Sequence, residues 1–298
     1  MTVCIGAISH WAPDGQAVVV ASDHMVTMGG FMQYEHDVPK IKFVSSKICV
    51  MMAGDTLSAT TLIQQLSSHF RTGEPSVEDV VNTAKTFYEQ LRQDQIETEV
   101  FRPRGFTMQQ FYQEGLQSRL QPHLVGAIDD EVMSYDLGVE LLVAGVDGEG
   151  AHIYTVGNPG AIGNYKHTGY VSVGSGQIHA VQSLIGFKHS AYHSLYETIF
   201  EVYASKRRAE AAPGVGTETD LCFIPPGEMG WVLLNRQQLS KLDRLYTEFS
   251  QPAGQEIARK VGDLNLFGDE KENESQTNSA EVEQPDNSAK SFQETVQS

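Results

Sequence analysis

Four places near the start of the chain carry groups that could do chemistry together. Thr2 offers a hydroxyl, Asp23 a carboxylate and Lys40 an ammonium, and Ala53-Gly54-Asp55 offers a glycine beside an acid. A hydroxyl is a weak nucleophile and needs an adjacent base. Taken singly, each position has an ordinary reading. Thr2 is simply residue two, Asp23 a turn acid after an apolar run, Lys40 a solvated strand end, and Gly54 a strand-to-helix break. His189 and His193 stand four apart in an expected helix, a spacing that can bind metal. No acidic third ligand is apparent nearby, so they read as a solvated or packed pair and no metal is expected. Gly145 to Gly150 is glycine-rich but lacks the lysine and following helix of a phosphate loop.

The elements that must position these groups can be read locally. Thr2 to Ile8 and Ala17 to Ser22 are short apolar runs around the turn residues Pro13-Asp14-Gly15, a hairpin pattern. Lys40 to Val44 and Lys47 to Ala53 follow as strands. A helix over 57–70 has Asp55 or Thr56 as its cap, with Leu62, Leu66 and Phe70 on one face. Ser76 and Asp79 form a near capping box for a second helix to about Gln95. A less regular stretch, 96–137, contains an expected helix over 107–120. Val139 to Val146, Ala151 to Val156 and Gly169 to Val173 read as strands, the first two joined by a turn at Asp147 to Gly150. Helices over 177–185 and 190–211, a strand pair over 219–224 and 231–234, and a helix over 237–249 complete the order. Strands and helices come in groups, which suits packed antiparallel sheets with helices outside rather than an alternating parallel sheet.

The segments Thr2-Val3-Cys4-Ile5-Gly6, Val20-Ala21-Ser22-Asp23, Lys40-Ile41 and Ala53-Gly54 resemble, in order and spacing, the start of a proteasome β subunit. Val173-Gly174-Ser175-Gly176 is similar to that family's later glycine-serine-glycine turn. The resemblance covers about residues 2–70 and 139–234. It implies an α+β fold: the four-layer αββα sandwich of N-terminal-nucleophile (Ntn) hydrolases, two antiparallel sheets between helical layers. It implies a threonine-type peptidase, a hydrolase acting by acyl transfer through Thr2 once Met1 is removed. The freed α-amine would be the base, since such amines titrate near pH ~8. Lys40 would disfavour a second positive charge on that amine, and Asp23 would hold Lys40 charged and oriented. The Gly54 N–H would stabilise the oxyanion, and Ser175 would hydrogen-bond the amine. No organic cofactor or metal is implied. Polypeptide substrates and a homo-oligomeric ring or barrel are implied; an ATPase partner is not specified.

Two departures from the family pattern stand out. Active members carry a further aspartate and serine in the loop before the late strand. Here that loop is 210–219, without a matching aspartate; Glu210, Thr217 and Glu218 are the available substitutes. The position two after Asp23, often basic in the family, is Met25. No propeptide is expected before Thr2, and a small second residue suits removal of Met1.

Domain organisation follows: an Ntn-hydrolase domain over 1–250 with a helical insertion near 96–137, then an acidic polar tail over 251–298, disordered from about 268. Residues 269–298 hold eight acids and two lysines, a composition that cannot bury enough surface to order itself. The net charge of −17 disfavours nucleic acid and anionic membranes as partners. No signal peptide and no apolar run near 18 residues is seen. Cys4, Cys49 and Cys222 are an odd, scattered set that reads as buried hydrophobes in a reducing cytoplasm. Two rival readings remain open. One is an Ntn amidase or acyl transferase acting on a small or single substrate. The other is a non-catalytic assembly subunit, against which the presence of Thr2 and the lack of an N-terminal helical extension count.

Overall fold

A computed structural model describes residues 2–13, 15–28, 32–35 and 39–250. The expected disorder of the tail falls outside these residues. Residues Met1–Tyr246 form one unit and Thr247–Ser298 a second, nearly all of which also lies outside.

The chain opens with a hairpin, β1 (Cys4–Trp11) and β2 (Gly15–Asp23), paired from Cys4↔Ser22 to Trp11↔Gly15. β3 (Met25–Met28) and β4 (Met32–Glu35) pair with each other in a two-stranded sheet. β5 (Ile41–Phe43) and β6 (Ile48–Gly54) follow. Then come α1 (Thr56–His69) and α2 (Val77–Ile96). Asp55 caps α1 by accepting the Ser58 N–H at 2.8 Å, and Ser76 and Asp79 make a full capping box on α2.

The stretch after α2 differs from the single helix expected over 107–120. A π-helical turn, Glu97–Phe101, runs into a 3₁₀ turn, Arg102–Arg104, then α3 (Met108–Tyr112), a 3₁₀ turn Leu116–Arg119 and α4 (Pro122–Ser134). Gly115, at φ +74°, breaks the expected helix. Phe101, Phe111, Val100 and Ile128 bury against one another, giving this stretch a small core of its own.

β7 (Val139–Asp147), β8 (Gly150–Gly157), β9 (Ala161–Asn164) and β10 (Tyr170–Val173) follow, then α5 (Gln177–Gly186) and α6 (Leu195–Ala209). β11 (Thr219–Ile224), β12 (Val232–Leu233) and α7 (Arg236–Ser250) close the order.

Two five-stranded antiparallel sheets result, ordered β10-β1-β2-β11-β12 and β5-β6-β7-β8-β9. Cys4, Ile8, Val18 and Val20 of the first meet Cys49, Met51, Leu142 and Ile153 of the second between the sheets. Val3, just before β1, and the alternate residues Ile5 and Ala7 within it face the other way onto Ala180, Leu184 and Val202 of α5 and α6. On the far side Val50, Leu141 and Val143 meet Leu62, Leu66, Val80 and Ala84 of α1 and α2. Helices, sheet, sheet and helices thus form the four layers of the expected αββα sandwich. Both faces of β1, β2, β6 and β7 are covered, so residues pointing either way from these strands are mostly apolar. Among the described residues, no helix is long and apolar enough to cross a membrane.

One local expectation is corrected. His189 and His193 are not on a helix: α6 begins at Leu195, capped by Ser194, and Lys188 takes φ +55°. Nor do they lack an acid. Glu201 of α6 lies between them, 2.6 Å from His189 Nδ1 and 2.9 Å from His193 Nδ1. His189 Nε2 donates to the Ile8 carbonyl at 3.1 Å, so the cluster fastens the α5–α6 connection to β1.

Candidate active site

Thr2 enters β1 and Asp23 ends β2. The hairpin register, Cys4 opposite Ser22, therefore sets them side by side. The Asp23 N–H donates to the Val3 carbonyl at 3.3 Å, and the Val3 N–H donates to Asp23 Oδ1 at 3.0 Å. Lys40 comes from the other sheet, one residue before β5, and is 8% exposed. Its ammonium donates to Asp23 Oδ1 at 2.7 Å and to the Thr2 hydroxyl oxygen. The Thr2 hydroxyl in turn donates to Asp23 Oδ1. Hydroxyl, carboxylate and ammonium are thus mutually bonded, and all three residues are buried.

Asp23 takes two further donors on Oδ2, the Gly216 N–H at 2.8 Å and the Met25 N–H at 3.1 Å. Burial pushes its carboxyl up. The Lys40 ammonium, the Gly216 N–H and the Thr2 hydroxyl outweigh that push and hold it below the usual aspartate range. Asp23 is therefore a fixed anion, and it has no exposed surface.

Ser175 lies in the Gly174-Ser175-Gly176 turn between β10 and α5, beside β1 because β10 pairs with it. Thr2 N donates to Ser175 Oγ at 3.2 Å. The Thr2 carbonyl receives Ser175 Oγ at 3.3 Å and the Gly176 N–H at 3.2 Å. Gly174 sits at φ +94°, and a Cβ there would fall on the Thr2 carbonyl oxygen and 2.9 Å from Thr2 Cγ2. The turn needs glycine both for its conformation and for this approach.

Gly54 lies outside this hydrogen-bonded set. It ends β6 at φ +99°, where a side chain would run into the Gly138 carbonyl. It shares with Gly174 the lining of a cavity of about 550 Å³, to which Ala53, Asp136, Glu140 and Thr155 also contribute. Glu140, which the sequence did not mark, lines it too, and burial raises its carboxyl above the usual glutamate range.

The loop 210–219 contributes backbone rather than a carboxylate. Glu210 is turned to Lys206 of α6, 2.7 Å away, and the Thr217 and Glu218 N–H groups donate to Glu35 of β4. What the loop gives the site is the Gly216 N–H and the Pro213 carbonyl, 3.4 Å from Ser175 Oγ. Met25 likewise acts through its N–H. A sequence carries no mark for such backbone donors.

Cys4, the thiol closest in sequence, is not a competing nucleophile. It is completely buried, its thiol faces the Met52 carbonyl at 3.3 Å, and burial pushes its pKa up to about 12. Cys49 and Cys222 are also free and buried.

Residues 15–108 match the family model described as Proteasome subunit. That segment runs from β2 into the start of α3 and contains Asp23, Lys40 and Gly54. No curated protein matches the chain. The layered sandwich, the order of its elements and this match agree: the chain has a proteasome-like fold of the Ntn-hydrolase type.

Proposed function

We propose that the chain is a threonine-type peptidase, with Thr2 as its nucleophile after removal of Met1. The observation that carries this reading is the bonded set of Thr2 Oγ1, Asp23 and Lys40, with Ser175 Oγ at the Thr2 nitrogen.

Removal of Met1 turns the Thr2 nitrogen into a free amine, with a pKa near ~8. In its neutral form this amine takes the Oγ1 proton as Oγ1 attacks the substrate carbonyl carbon. The Lys40 ammonium, already donating to Oγ1, stabilises negative charge developing there. It also opposes a second positive charge nearby, which keeps part of the amine neutral. Asp23 holds that ammonium in place. The carbonyl oxygen becomes an oxyanion, for which the Gly54 N–H at the cavity edge is the proposed donor. Collapse breaks the C–N bond, and the Thr2 ammonium hands its proton to the leaving amine. The acyl group is left as an ester on Thr2. Water, deprotonated by the same amine, then attacks the ester and releases the acid, restoring the hydroxyl.

The resemblance to proteasome β subunits and the family match favour polypeptide substrates and a ring or barrel of like subunits. Ile178, Ile185, Tyr192 and Tyr196, all more than half exposed on and beside α5 and α6, offer an apolar face for such an assembly. Three free cysteines suit a reducing compartment such as the cytoplasm.

Turnover of an unfolded polypeptide and of short peptides tests the reading against wild type and Thr2→Ala. Wild-type hydrolysis that Thr2→Ala abolishes supports it. Turnover of small amides alone would replace it with a small-molecule amidase. Activity surviving in Thr2→Ala would remove Thr2 from the mechanism.

A further inference from the structure

Lys206 is a lysine in a position meant for an apolar side chain. It lies on the inward face of α6 with Val202 and Ala209, and it has no exposed surface. Burying an ammonium is costly unless every N–H finds an acceptor. Here all three do: Glu210 Oε1 at 2.7 Å, the Gly216 carbonyl at 2.9 Å and the Thr217 carbonyl at 2.7 Å. An apolar residue would fill the same space without this cost, so the cation is informative through what it holds.

It holds the loop that closes over Asp23. Gly216 is gripped on both sides, its carbonyl by Lys206 and its N–H by Asp23 Oδ2 at 2.8 Å. Gly216 is closely surrounded; a Cβ there would lie 2.7 Å from Glu35 Oε1 and 3.1 Å from the Met25 nitrogen. Three residues earlier, the Pro213 carbonyl meets Ser175 Oγ at 3.4 Å. The loop therefore touches both the carboxylate that orients Lys40 and the hydroxyl beside the Thr2 nitrogen. Glu35 fastens the outer side of the loop, accepting the Thr217 N–H, the Thr217 hydroxyl at 3.1 Å and the Glu218 N–H at 3.1 Å. Lys206 fastens the inner side.

We propose that Lys206 is a positioning residue for the Thr2 reaction: its buried ammonium fixes the 213–219 loop so that Gly216 orients the Asp23 carboxylate. It anchors a loop that brings no carboxylate of its own into the site. The proposal rests on Thr2 being the nucleophile.

The test is the rate of modification of Thr2 by an epoxyketone, resolved into kinact and KI, in wild type and Lys206→Met. The methionine has nearly the shape of the lysine without its charge or donors. Thermal unfolding of both proteins is measured alongside. A displaced Asp23 misorients Lys40 and Thr2, and misplacement of this kind costs about 100-fold in rate. The expected result is a kinact lower by that order with KI unchanged. A merely structural lysine would lower the unfolding temperature but leave kinact of the folded protein at the wild-type value, and that result overturns the proposal. If Lys206→Met gives no folded protein, Glu210→Gln takes its place. It removes the anion that anchors Nζ and is expected to lower kinact several-fold; an unchanged kinact overturns the proposal equally. Wild-type protein that is not modified overturns the Thr2 reading itself, and this proposal with it.

Discussion

Replacing Asp23 by asparagine should be among the most damaging nearly isosteric changes in the protein. Both carboxylate oxygens receive only donors. Oδ1 takes the Thr2 hydroxyl, the Val3 N–H and the Lys40 ammonium; Oδ2 takes the Met25 and Gly216 N–H groups. An amide must present its NH₂ on one side or the other, so it faces donors in either orientation. Each buried donor left unmatched costs about 1–3 kcal/mol. Breaking a buried ion pair by removing one partner costs about 3–5 kcal/mol. Asp23 has no exposed surface, so water cannot make up the loss. Asp23→Asn should therefore lose about 3–5 kcal/mol in a denaturant titration. Modification of Thr2 by an epoxyketone should slow by roughly 10²–10³-fold, the equivalent of about 3–4 kcal/mol in the transition state. The pH dependence follows from the lowered Asp23 pKa. A carboxylate whose folded pKa lies below its unfolded value, near ~3.9, contributes fully above about pH 4. That contribution disappears as pH falls through the folded value, so wild type should lose stability there and Asp23→Asn should lose less. Stability within about 1 kcal/mol of wild type, with modification unchanged, would refute the geometry from which these numbers were derived.

Three further outcomes follow from the site. Ser175→Ala removes one hydrogen bond at the Thr2 nitrogen and should slow modification about 3–10-fold with little change in unfolding temperature, as paired kinetic and thermal measurements would show. Gly174→Ala puts a methyl group onto the Thr2 carbonyl at a positive φ, and should destabilise by about 1–3 kcal/mol in denaturant. Its loss of activity should exceed that of Ser175→Ala, because Thr2 itself must move. A thiol-alkylating reagent should leave the native protein unmodified by mass and fully active, and add three groups only after unfolding. Inactivation through Cys4 in the folded state would contradict the burial described.

Legibility in the sequence followed the range of the physics. The β1–β2 hairpin, the Asp55 and Ser76 caps and the helices α1, α2, α5 and α7 could be read because turn chemistry, capping and apolar faces act over a few residues. The β3–β4 pair and β9 could not, since their side chains carry too little apolar pattern. The stretch around α3 and α4 misled because Gln109, Gln110, Gln113 and Gln117 favour helix while Gly115 ends it. Thr2, Asp23, Lys40 and Ser175 were singled out by their joint order, not by any one of them. Their convergence depends on the hairpin register and on packing across the two sheets, which no local signal encodes. The groups missed were the Gly216 N–H, Lys206 and Glu140. A backbone donor has no side-chain signature, and Lys206 is masked in the run Ser-Lys-Arg-Arg. Its one visible mark is its place in the Val202 to Ala209 apolar spacing of α6. Glu201 was missed as the partner of His189 and His193 because the helix was expected to begin too early.

Thr2, with its own amine as base, is the proposed nucleophile. The intact mass of the purified protein, before and after treatment with an epoxyketone, tests it most directly, because that reagent needs both a hydroxyl and a neighbouring free amine. The expected result is a mass lacking Met1, one adduct on wild type and none on Thr2→Ala. Protein that keeps Met1 and takes no adduct would contradict it, leaving a proteasome-like scaffold without the proposed chemistry.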